Sequence, residues 1–288
     1  MPLEESTGFV HTAPMPENTN FRLAFVDMDD TLLGPDKRIS PENLAALARL
    51  RAAGIQVVIT SGRHHKNILS YKEIGRTEWT ISSQGAVVRN EQTGEVLLES
   101  TLPPETALTL ARHGQAQGYS ILVYNRDGVF TEEQTDWTRL YARKANWTPQ
   151  LGRFEDLAKT GLEKVFWSTD PARIAEIAPG LSAEFKNRLY VVVTEPELIE
   201  FLNPGINKAT GAEILAQHLG IAREETLAFG DGNNDVELLH WAGLSVAMRH
   251  GRQAARQAAT FISPADATPA TAFARAVDLA LSEAPVAL

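Results

Sequence analysis

The sequence predicts an α/β protein whose core is a doubly wound, Rossmann-like parallel sheet, interrupted by an inserted α+β domain. Two observations lead to this prediction. Short apolar runs alternate with helical segments in both terminal parts of the 288-residue chain, as in parallel sheets that are covered by helices. The middle, from about Ala86 to Phe201, instead contains paired strand segments joined by turn residues, with helices between them.

These changes in pattern divide the chain into a tail, a two-part core and an insert. We assign residues 21–85 and 202–288 to the core and residues 86–201 to the inserted domain. Residues 1–20 are rich in Pro, Asn, Thr and Glu, and they lack the basic start and apolar stretch of a signal peptide. We predict that they form a flexible tail.

The first elements of the core form a strand–helix–strand unit. The run "FRLAFV" is a short buried strand, and Ser40 followed by Pro41 marks a helix start, with Ser as N-cap. Gly54 ends that helix, and "IQVVIT" (Ile55–Thr60) is a second, β-branched strand. This spacing predicts that the two strands are parallel, and "WTISS" supplies another strand.

The C-terminal part repeats this order, and the insert does not. The helix "NKATGAEILAQHLG", closed by Gly220, precedes the strand "TLAFG", the helix "NDVELLHWAG" and the strand "LSVAM". Two helical segments, "RQAARQAA" and "PATAFARAVDLAL", end the chain. In the insert we expect hairpin turns at Thr93–Gly94 and Asp127–Gly128, and further strands in "EKVFWST" and "RLYVVVTEPELIEFL".

Composition and charge narrow the classes of partner. The formal net charge of −9 argues against nucleic acid or an anionic membrane surface as the main partner. The absence of cysteine excludes disulfides, thiolate metal sites and a cysteine nucleophile, and it is compatible with a reducing cytoplasm. No apolar run approaches the roughly 18–20 residues of a spanning helix. We expect a cytoplasmic protein that binds neither nucleic acid nor membrane.

Four places put reactive residues at predicted strand ends or helix starts, where an open parallel sheet binds its ligands. The first is "VDMDDTLL". Asp27 and Asp29 are two residues apart, so they project to the same side of an extended backbone. Two converging carboxylates need a cation, and oxygen-only ligation suits Mg²⁺. The alternative is a loop of solvated aspartates.

The second and third places suggest anion binding. Ser61 and Gly62 follow the strand "VVIT", and a hydroxyl with backbone N–H groups at a helix start can bind phosphate. The alternative is a simple Ser N-cap. Lys208 lies in the first turn of a helix, where the macrodipole disfavours a cation. A bound anion would explain that placement, and a surface lysine is the alternative.

The fourth place is "LAFGDGNNDVELL". Two glycines flank Asp231 at a strand end, and Asn233, Asn234 and Asp235 lead into a helix. Glycines allow the backbone to approach a ligand closely. Asp231 and Asp235 could therefore serve as a cation ligand and as a hydrogen-bond acceptor behind it. The alternative is an Asn/Asp-rich turn with an N-cap.

In combination the four places resemble the haloacid dehalogenase-like (HAD) superfamily of phosphohydrolases. They occur in the order Asp-x-Asp, Ser/Thr, Lys and Gly-Asp-x-x-x-Asp. The phrases "VVITSGR", "ISSQGAVV", "NKATGAEILAQHLGI" and "AFGDGNNDVELLHWAG" are similar to those of its Cof-type subfamily. That subfamily carries a large type IIB α/β cap where the insert lies here. The resemblance covers nearly all of residues 21 to about 281, and over the cap it is architectural.

The resemblance implies a role for each residue of the four places. Asp27 would be the nucleophile that forms an aspartyl-phosphate, and Asp29 the general acid and then the base. Mg²⁺ would be held by Asp27, by Asp29 through its backbone carbonyl, and by Asp231. The phosphoryl group would be bound by Ser61, Gly62, Lys208 and Asn234. Asp235 would stand behind them and orient the lysine and the metal-bound waters.

The function implied is a Mg²⁺-dependent phosphatase of small phosphate monoesters, such as sugar phosphates or phosphorylated cofactors, and the partner is a small phosphorylated metabolite. Two other functions stay open. Some capped relatives are phosphomutases, which transfer the phosphoryl group to a sugar instead of water. A non-catalytic phosphate-ligand binding protein would use the same site without turnover.

Two positions depart from the Cof-type pattern. Asp30 stands where relatives usually have glycine, and we expect its side chain to face solvent or to cap the next turn rather than to bind metal. Gln84 stands where relatives usually have asparagine beside the site. Arg63 either helps to hold the phosphate loop or has no role there. We expect surface positions for His64 and His65, and packing rather than sugar stacking for three cap aromatics, Trp137, Tyr141 and Trp147.

Overall fold

The computed structural model describes residues 20–75 and 77–282. Its strands, in chain order, are β1 (Leu23–Val26), β2 (Gln56–Thr60), β3 (Trp79–Ser82), β4 (Val87–Asn90), β5 (Val96–Glu99), β6 (Ser120–Asn125), β7 (Gly128–Thr131), β8 (Gln150–Leu151), β9 (Lys164–Ser168), β10 (Tyr190–Glu195), β11 (Leu198–Leu202), β12 (Thr226–Gly230), β13 (Leu244–Ala247) and β14 (Phe261–Ile262).

The helices, in chain order, are α1 (Pro41–Ala52), α2 (His65–Ile68), α3 (Pro104–Ala116), α4 (Asp136–Ala145), α5 (Phe154–Ala158), α6 (Pro171–Glu184), α7 (Lys208–His218), α8 (Val236–Trp241), α9 (Gln253–Ala258) and α10 (Ala272–Ser282). Each helix within residues 20–75 and 77–282 is too short or too polar to cross a lipid bilayer.

The first sheet contains eight strands of the described residues, in the order β14-β13-β12-β1-β2-β3-β4-β5. The strands from β14 to β3 are parallel, whereas β4 and β5 run antiparallel to their neighbours. Val26 at the end of β1 lies beside Ile59 of β2 and Phe229 of β12. The sheet confirms the predicted α/β class, and it brings the carboxyl ends of these three strands side by side.

Helices cover both faces of this sheet. Along β1, Ala24 and Val26 pack in the cluster that includes α1 and α10, whereas Leu23 and Phe25 pack in the cluster that includes α7 and α8. All four side chains are fully buried. Burial of both faces explains why the strands are continuous apolar runs, and each buried Leu, Phe or Val side chain contributes about 1.5–3 kcal/mol.

The first helix has the predicted ends. The hydroxyl of Ser40 accepts the backbone N–H of Asn43 at 3.1 Å, and Pro41 is the first helical residue. After α1 the chain turns at Gly54, whose φ of +78° is readily adopted by glycine. An N-cap hydrogen bond such as that of Ser40 is worth about 1 kcal/mol. The turn at Gly54 thus ends α1 and leads the chain into β2.

The second sheet has the order β10-β11-β9-β6-β7-β8 and is antiparallel except for the β7–β8 pair. Asn125 faces Gly128 across the predicted β6–β7 hairpin turn. Trp167 and Phe201 belong to the apolar cluster shared with α3. The opposite face carries a smaller apolar cluster of Leu122, Tyr124, Val129, Tyr141, Phe166 and Leu198.

The limits of the insert differ from the prediction at one element. The hairpin with its turn at Thr93–Gly94 is formed by β4 and β5, and it extends the first sheet, with Val88 beside Ile81 of β3. A start of the insert at residue 86 would place this hairpin outside the core sheet. The sequence pattern identifies a hairpin but not the strand with which it pairs. The predicted tail, apart from residue 20, lies outside the described residues.

Candidate active site

Side chains that follow three neighbouring strands of the first sheet line one cavity of about 320 Å³. Asp27 follows β1, Ser61 follows β2 and Asp231 follows β12. The opposite wall is formed by residues of the second sheet, among them Tyr124 and Lys164. The parallel order of the strands thus brings together three residues that are far apart in the sequence.

Asp27, which lines the cavity, forms a buried ion pair with Lys208. Asp27 is 4% exposed and Lys208 is 1% exposed. The Nζ atom of Lys208 lies 2.5 Å from Oδ1 of Asp27 and 2.6 Å from Oδ1 of Asp235. Although burial lowers the pKa of Lys208, the charges of Asp235 and Asp27 raise it above its usual range. These two carboxylates offset the unfavourable position of the cation at the start of α7.

Asp235 also fixes the loop that carries Asp231. Its Oδ2 atom accepts the backbone N–H groups of Asp231 at 2.9 Å and of Gly232 at 2.8 Å. The carboxylate occupies the space beside Gly230, where an added Cβ would lie 2.5 Å from Cγ of Asp235. Oδ1 of Asp231 accepts the hydroxyl of Thr31 at 2.9 Å. The Asp231 side chain is therefore held near Asp27 by contacts on both sides of the loop.

The three carboxylates could hold a divalent cation. Oxygen atoms of Asp27, Asp231 and Asp235 lie within 4.8 Å of one another, and Lys208 brings a single positive charge to them. Burial and the charge of Asp235 raise the pKa of Asp27 to about 7, and burial and the charge of Asp27 raise the pKa of Asp231. A compact oxygen-only set with excess negative charge fits Mg²⁺.

Asp29 lies at the cavity, but its side chain turns away from those carboxylates. It forms a two-pronged ion pair with Arg63, with Nε–Oδ2 and Nη2–Oδ1 distances of 2.7 Å, and it contacts Lys37 at 3.1 Å. Although burial raises the pKa of Asp29, Arg63 and then Lys37 lower it below its usual range. The expected metal ligand is the backbone carbonyl of Asp29, and this role stays a prediction.

Asp30 takes a backbone conformation that glycine adopts readily. Its φ is 56°, in the left-handed region, which aspartate tolerates better than most residues. Its carboxylate is 45% exposed and lies 3.3 Å from Nζ of Lys37. Lys37 therefore contacts both Asp29 and Asp30. The exposure of the Asp30 side chain agrees with the expected solvent-side position.

The loop after β2 brings Ser61 and Gly62 to the cavity, although the helix begins later than predicted. The N-cap of α2 is His64, and the hydroxyl of Ser61 accepts the N–H of Arg63 at 3.2 Å. A Cβ on Gly62 would lie 2.3 Å from Nε2 of Gln84. Glycine is therefore required for the close contact between this loop and Gln84.

Asn234 contacts the same glutamine from the other side. Its Nδ2 donates to Oε1 of Gln84 at 2.9 Å, and Nε2 of Gln84 donates to Oε1 of Glu200 at 3.3 Å. Gln84 is 2% exposed and has a φ of 60°. The Gln84 side chain thus connects a loop of the first sheet with Glu200 of the second.

A buried ion pair of the second sheet is missing from the sequence interpretation. The Nζ atom of Lys164 lies 2.7 Å from Oε2 of Glu200 and donates to the backbone carbonyl of Gly62 at 2.6 Å. Lys164 and Glu200 are 1% and 4% exposed. Charged residues inside the apolar runs "EKVFWST" and "LIEFL" are the signal that could have identified them.

One expectation about the flanking residues is wrong, and another agrees with the structure. His64 is buried, and its Nε2 lies 2.9 Å from the carbonyl of Asn125. Burial and the neighbouring His65 lower the pKa of His64 to about 3, so the neutral ring donates to that carbonyl. Tyr141 packs in the small apolar cluster as predicted, and it also lines the cavity. His64 therefore joins the two domains, and Tyr141 borders the site.

Comparisons with known proteins identify the family to which the chain belongs. A family model described as haloacid dehalogenase-like hydrolase matches residues 24–273. An HMP-PP phosphatase from Serratia proteamaculans is 30% identical over 230 residues, which cover 79% of this chain and 84% of that protein. A haloacid dehalogenase-like hydrolase from Bacteroides thetaiotaomicron has a TM-score of 0.75 and 27% identity, covering 85% of this chain and 94% of that one.

A HAD subclass IIB sugar phosphatase has a TM-score of 0.72 at 21% identity, covering 84% of this chain and 93% of that one, which shows a shared fold. The family match includes the four places that carry the reactive residues. The chain therefore belongs to the haloacid dehalogenase-like hydrolases, in their Cof-type branch.

Proposed function

We propose that this chain is a Mg²⁺-dependent phosphatase that hydrolyses small phosphate monoesters through an aspartyl-phosphate on Asp27. The observation that carries the proposal is the buried contact of 2.5 Å between Asp27 and Lys208, with Asp27 and Asp231 lining one cavity. Two similar proteins are named for phosphatase activity, toward HMP-PP and toward sugar phosphates. Both names support a small phosphorylated metabolite, such as a sugar phosphate or a phosphorylated cofactor, as the substrate.

The charges of the site suit this reaction. A phosphate group that approaches the Asp27 carboxylate is repelled by ~4 kcal/mol per pair of unit charges at 4 Å and an effective dielectric constant of about 20. Lys208, whose Nζ lies 2.5 Å from Asp27, offsets part of that repulsion. Asp27 and Asp231 would hold Mg²⁺, which when bound neutralises charge on the phosphoryl oxygens.

The reaction has two steps. In the first, an oxygen of Asp27 forms a bond to phosphorus as the bond from phosphorus to the alcohol oxygen breaks, and Asp29 gives the alcohol its proton. In the second, water gives a proton to Asp29 and attacks phosphorus, which releases inorganic phosphate and restores Asp27. The ion pair with Arg63 keeps Asp29 ionised, so the first step requires the Asp29 carboxyl to take up a proton and exchange Arg63 for the leaving-group oxygen.

The test is release of p-nitrophenolate from p-nitrophenyl phosphate with Mg²⁺, with chelator and in the Asp27→Asn variant. We expect chelator to stop turnover reversibly and Asp27→Asn to lower kcat by at least about 10³-fold, because the amide is a poor nucleophile of nearly the same shape. Full activity of this variant would sink the mechanism. If ligands stabilise the unaltered protein against heat but it shows no turnover, a phosphate-ligand binding protein is favoured instead. If activity requires a sugar bisphosphate, a phosphomutase is favoured.

A further inference from the structure

A continuous set of buried polar side chains joins the second sheet to two loops of the first sheet. We call Lys164, Glu200, Gln84 and Asn234 the bridging network. Lys164 reaches the first loop, because its Nζ donates to the backbone carbonyl of Gly62 at 2.6 Å. The same ammonium lies 4.4 Å from the ring centres of both Tyr124 and Phe166. Lys164 is therefore fixed on the second sheet while its charge lies against the first.

Glu200 reaches the second loop through Gln84. Its Oε2 pairs with Lys164 at 2.7 Å, and its Oε1 accepts the hydroxyl of Thr194 at 2.8 Å and the amide of Gln84 at 3.3 Å. The carbonyl of the Gln84 side chain then accepts Nδ2 of Asn234 at 2.9 Å. Both oxygens of the carboxylate are used, one toward each loop.

The donors and acceptors of the bridging network fit in only one order. A carboxylate accepts hydrogen bonds and cannot donate, so Gln84 must turn its NH₂ group toward Glu200. Its carbonyl is then left for Asn234, which must donate. A buried ion pair is costly unless such partners satisfy it. The network is complete, and it ends on a carbonyl of the Ser61–Gly62 loop and on Asn234.

We propose that the Lys164–Glu200 pair is a positioning element that holds the Gly62 loop and Asn234 in the arrangement that binds the phosphoryl group. This inference rests on the proposed function, together with the phosphate-binding role that the family resemblance implies for Gly62 and Asn234. It gives the second sheet a part in binding the phosphoryl group itself. The phosphate site is then complete only when the second sheet lies against the first.

The variant that tests this is the double substitution Lys164→Met with Glu200→Gln. A single substitution would leave an unpaired buried charge and could prevent folding. The double variant keeps the volumes, removes both charges and loses the donor to Gly62. We expect inorganic phosphate to bind roughly 10- to 100-fold more weakly in the presence of Mg²⁺, since a charge-assisted contact that fixes the loop is lost. Calorimetric titration gives the affinity, and circular dichroism checks that the variant is folded.

The matched control is Arg112→Met with Glu132→Gln. That ion pair also lies on the second domain, with an Nη1–Oε2 distance of 2.6 Å. Neither Arg112 nor Glu132 lines the cavity of the candidate active site. We expect its phosphate affinity to equal that of the unaltered protein. The fall in kcat/KM of the Lys164/Glu200 variant should also be the same for p-nitrophenyl phosphate and for alkyl phosphates, because the phosphoryl group is common to all of them.

Unchanged phosphate affinity in a folded Lys164/Glu200 variant would overturn the inference, whether or not stability falls. A loss of kcat/KM that differs strongly between leaving groups would overturn it too, because the pair would then recognise the alcohol. The proposed function is tested separately by turnover of the unaltered protein. If that protein binds phosphate without hydrolysing esters, the phosphatase proposal fails while the affinity comparison still decides this inference.

Discussion

Removal of the Lys208 ammonium should destabilise the protein strongly, because two buried carboxylates depend on it. Methionine has nearly the length and volume of lysine, so Lys208→Met removes the charge and leaves the packing. At 2.5 and 2.6 Å, the contacts with Asp27 and Asp235 correspond to ~6–7 kcal/mol of attraction each at an effective dielectric constant of about 20. The cost of burying the charges offsets much of this. Breaking a buried pair typically costs about 3–5 kcal/mol, and we expect that loss in the free energy of unfolding.

Urea unfolding followed by circular dichroism measures this loss. The control is Lys159→Met, whose side chain is 74% exposed and pairs with Asp156, because exposed pairs contribute only about 0–1 kcal/mol. The experiment is run with chelator and with Mg²⁺. Since Mg²⁺ would supply positive charge to the same carboxylates, we expect it to stabilise Lys208→Met more than the unaltered protein.

Equal unfolding free energies of Lys208→Met and Lys159→Met, measured with chelator, would refute the reasoning. The buried carboxylates would then be protonated or rearranged at no cost, and the structure would not define the charge state of the site. A loss of about 3–5 kcal/mol that Mg²⁺ does not reduce would keep the ion-pair argument and contradict the metal site. The two parts of the prediction are thus tested separately.

Two further predictions concern a buried carboxyl and the unusual Asp30. Burial raises the pKa of Glu163 from 4.5 to about 7, so its folded form binds a proton more tightly than its unfolded form, and stability falls by about 3 kcal/mol as pH rises from 4.5 to 7. Glu163→Gln should remove that loss, and parallel stability–pH curves of variant and unaltered protein would contradict it. Glycine suits the φ of 56° at position 30, so Asp30→Gly should change the free energy of unfolding by less than about 1 kcal/mol. Its Mg²⁺ affinity, measured by calorimetric titration, should equal that of the unaltered protein. Weaker Mg²⁺ binding would show that Asp30 is a ligand.

The residues on the first sheet could be placed from the sequence because backbone topology alone brings them together. Asp27, Ser61 and Asp231 each follow an apolar run, and a parallel sheet puts the ends of such runs on one edge. The position of Lys208 could be predicted for a related reason, since a helix start that packs on the same edge is close to the strand ends. No knowledge of side-chain packing was needed for these four.

Partners in space are harder to predict than positions along the chain. The ion pair of Arg63 with Asp29 joins residues 34 positions apart, and the guanidinium also donates to the carbonyl of Ala145 at the end of α4. Its role depends on how the second domain lies on the first, which no local pattern encodes. The hairpin of β4 and β5 was misplaced for the same reason, because its turn signal is local and its pairing with β3 is not.

The Lys164–Glu200 pair shows that a sequence pattern can reveal a buried charge without identifying its partner. A carboxylate in the middle of the buried strand "LIEFL" requires a cation, but the sequence does not say which one. The register decides: Glu200 lies beside Phe166 on β9, and Lys164 is two residues earlier on the same face. Phe201 packs on the opposite face and helps to fix that register. A slip by one residue would turn Glu200 away from the cavity, so apolar packing far from the phosphate loops determines which charges reach them.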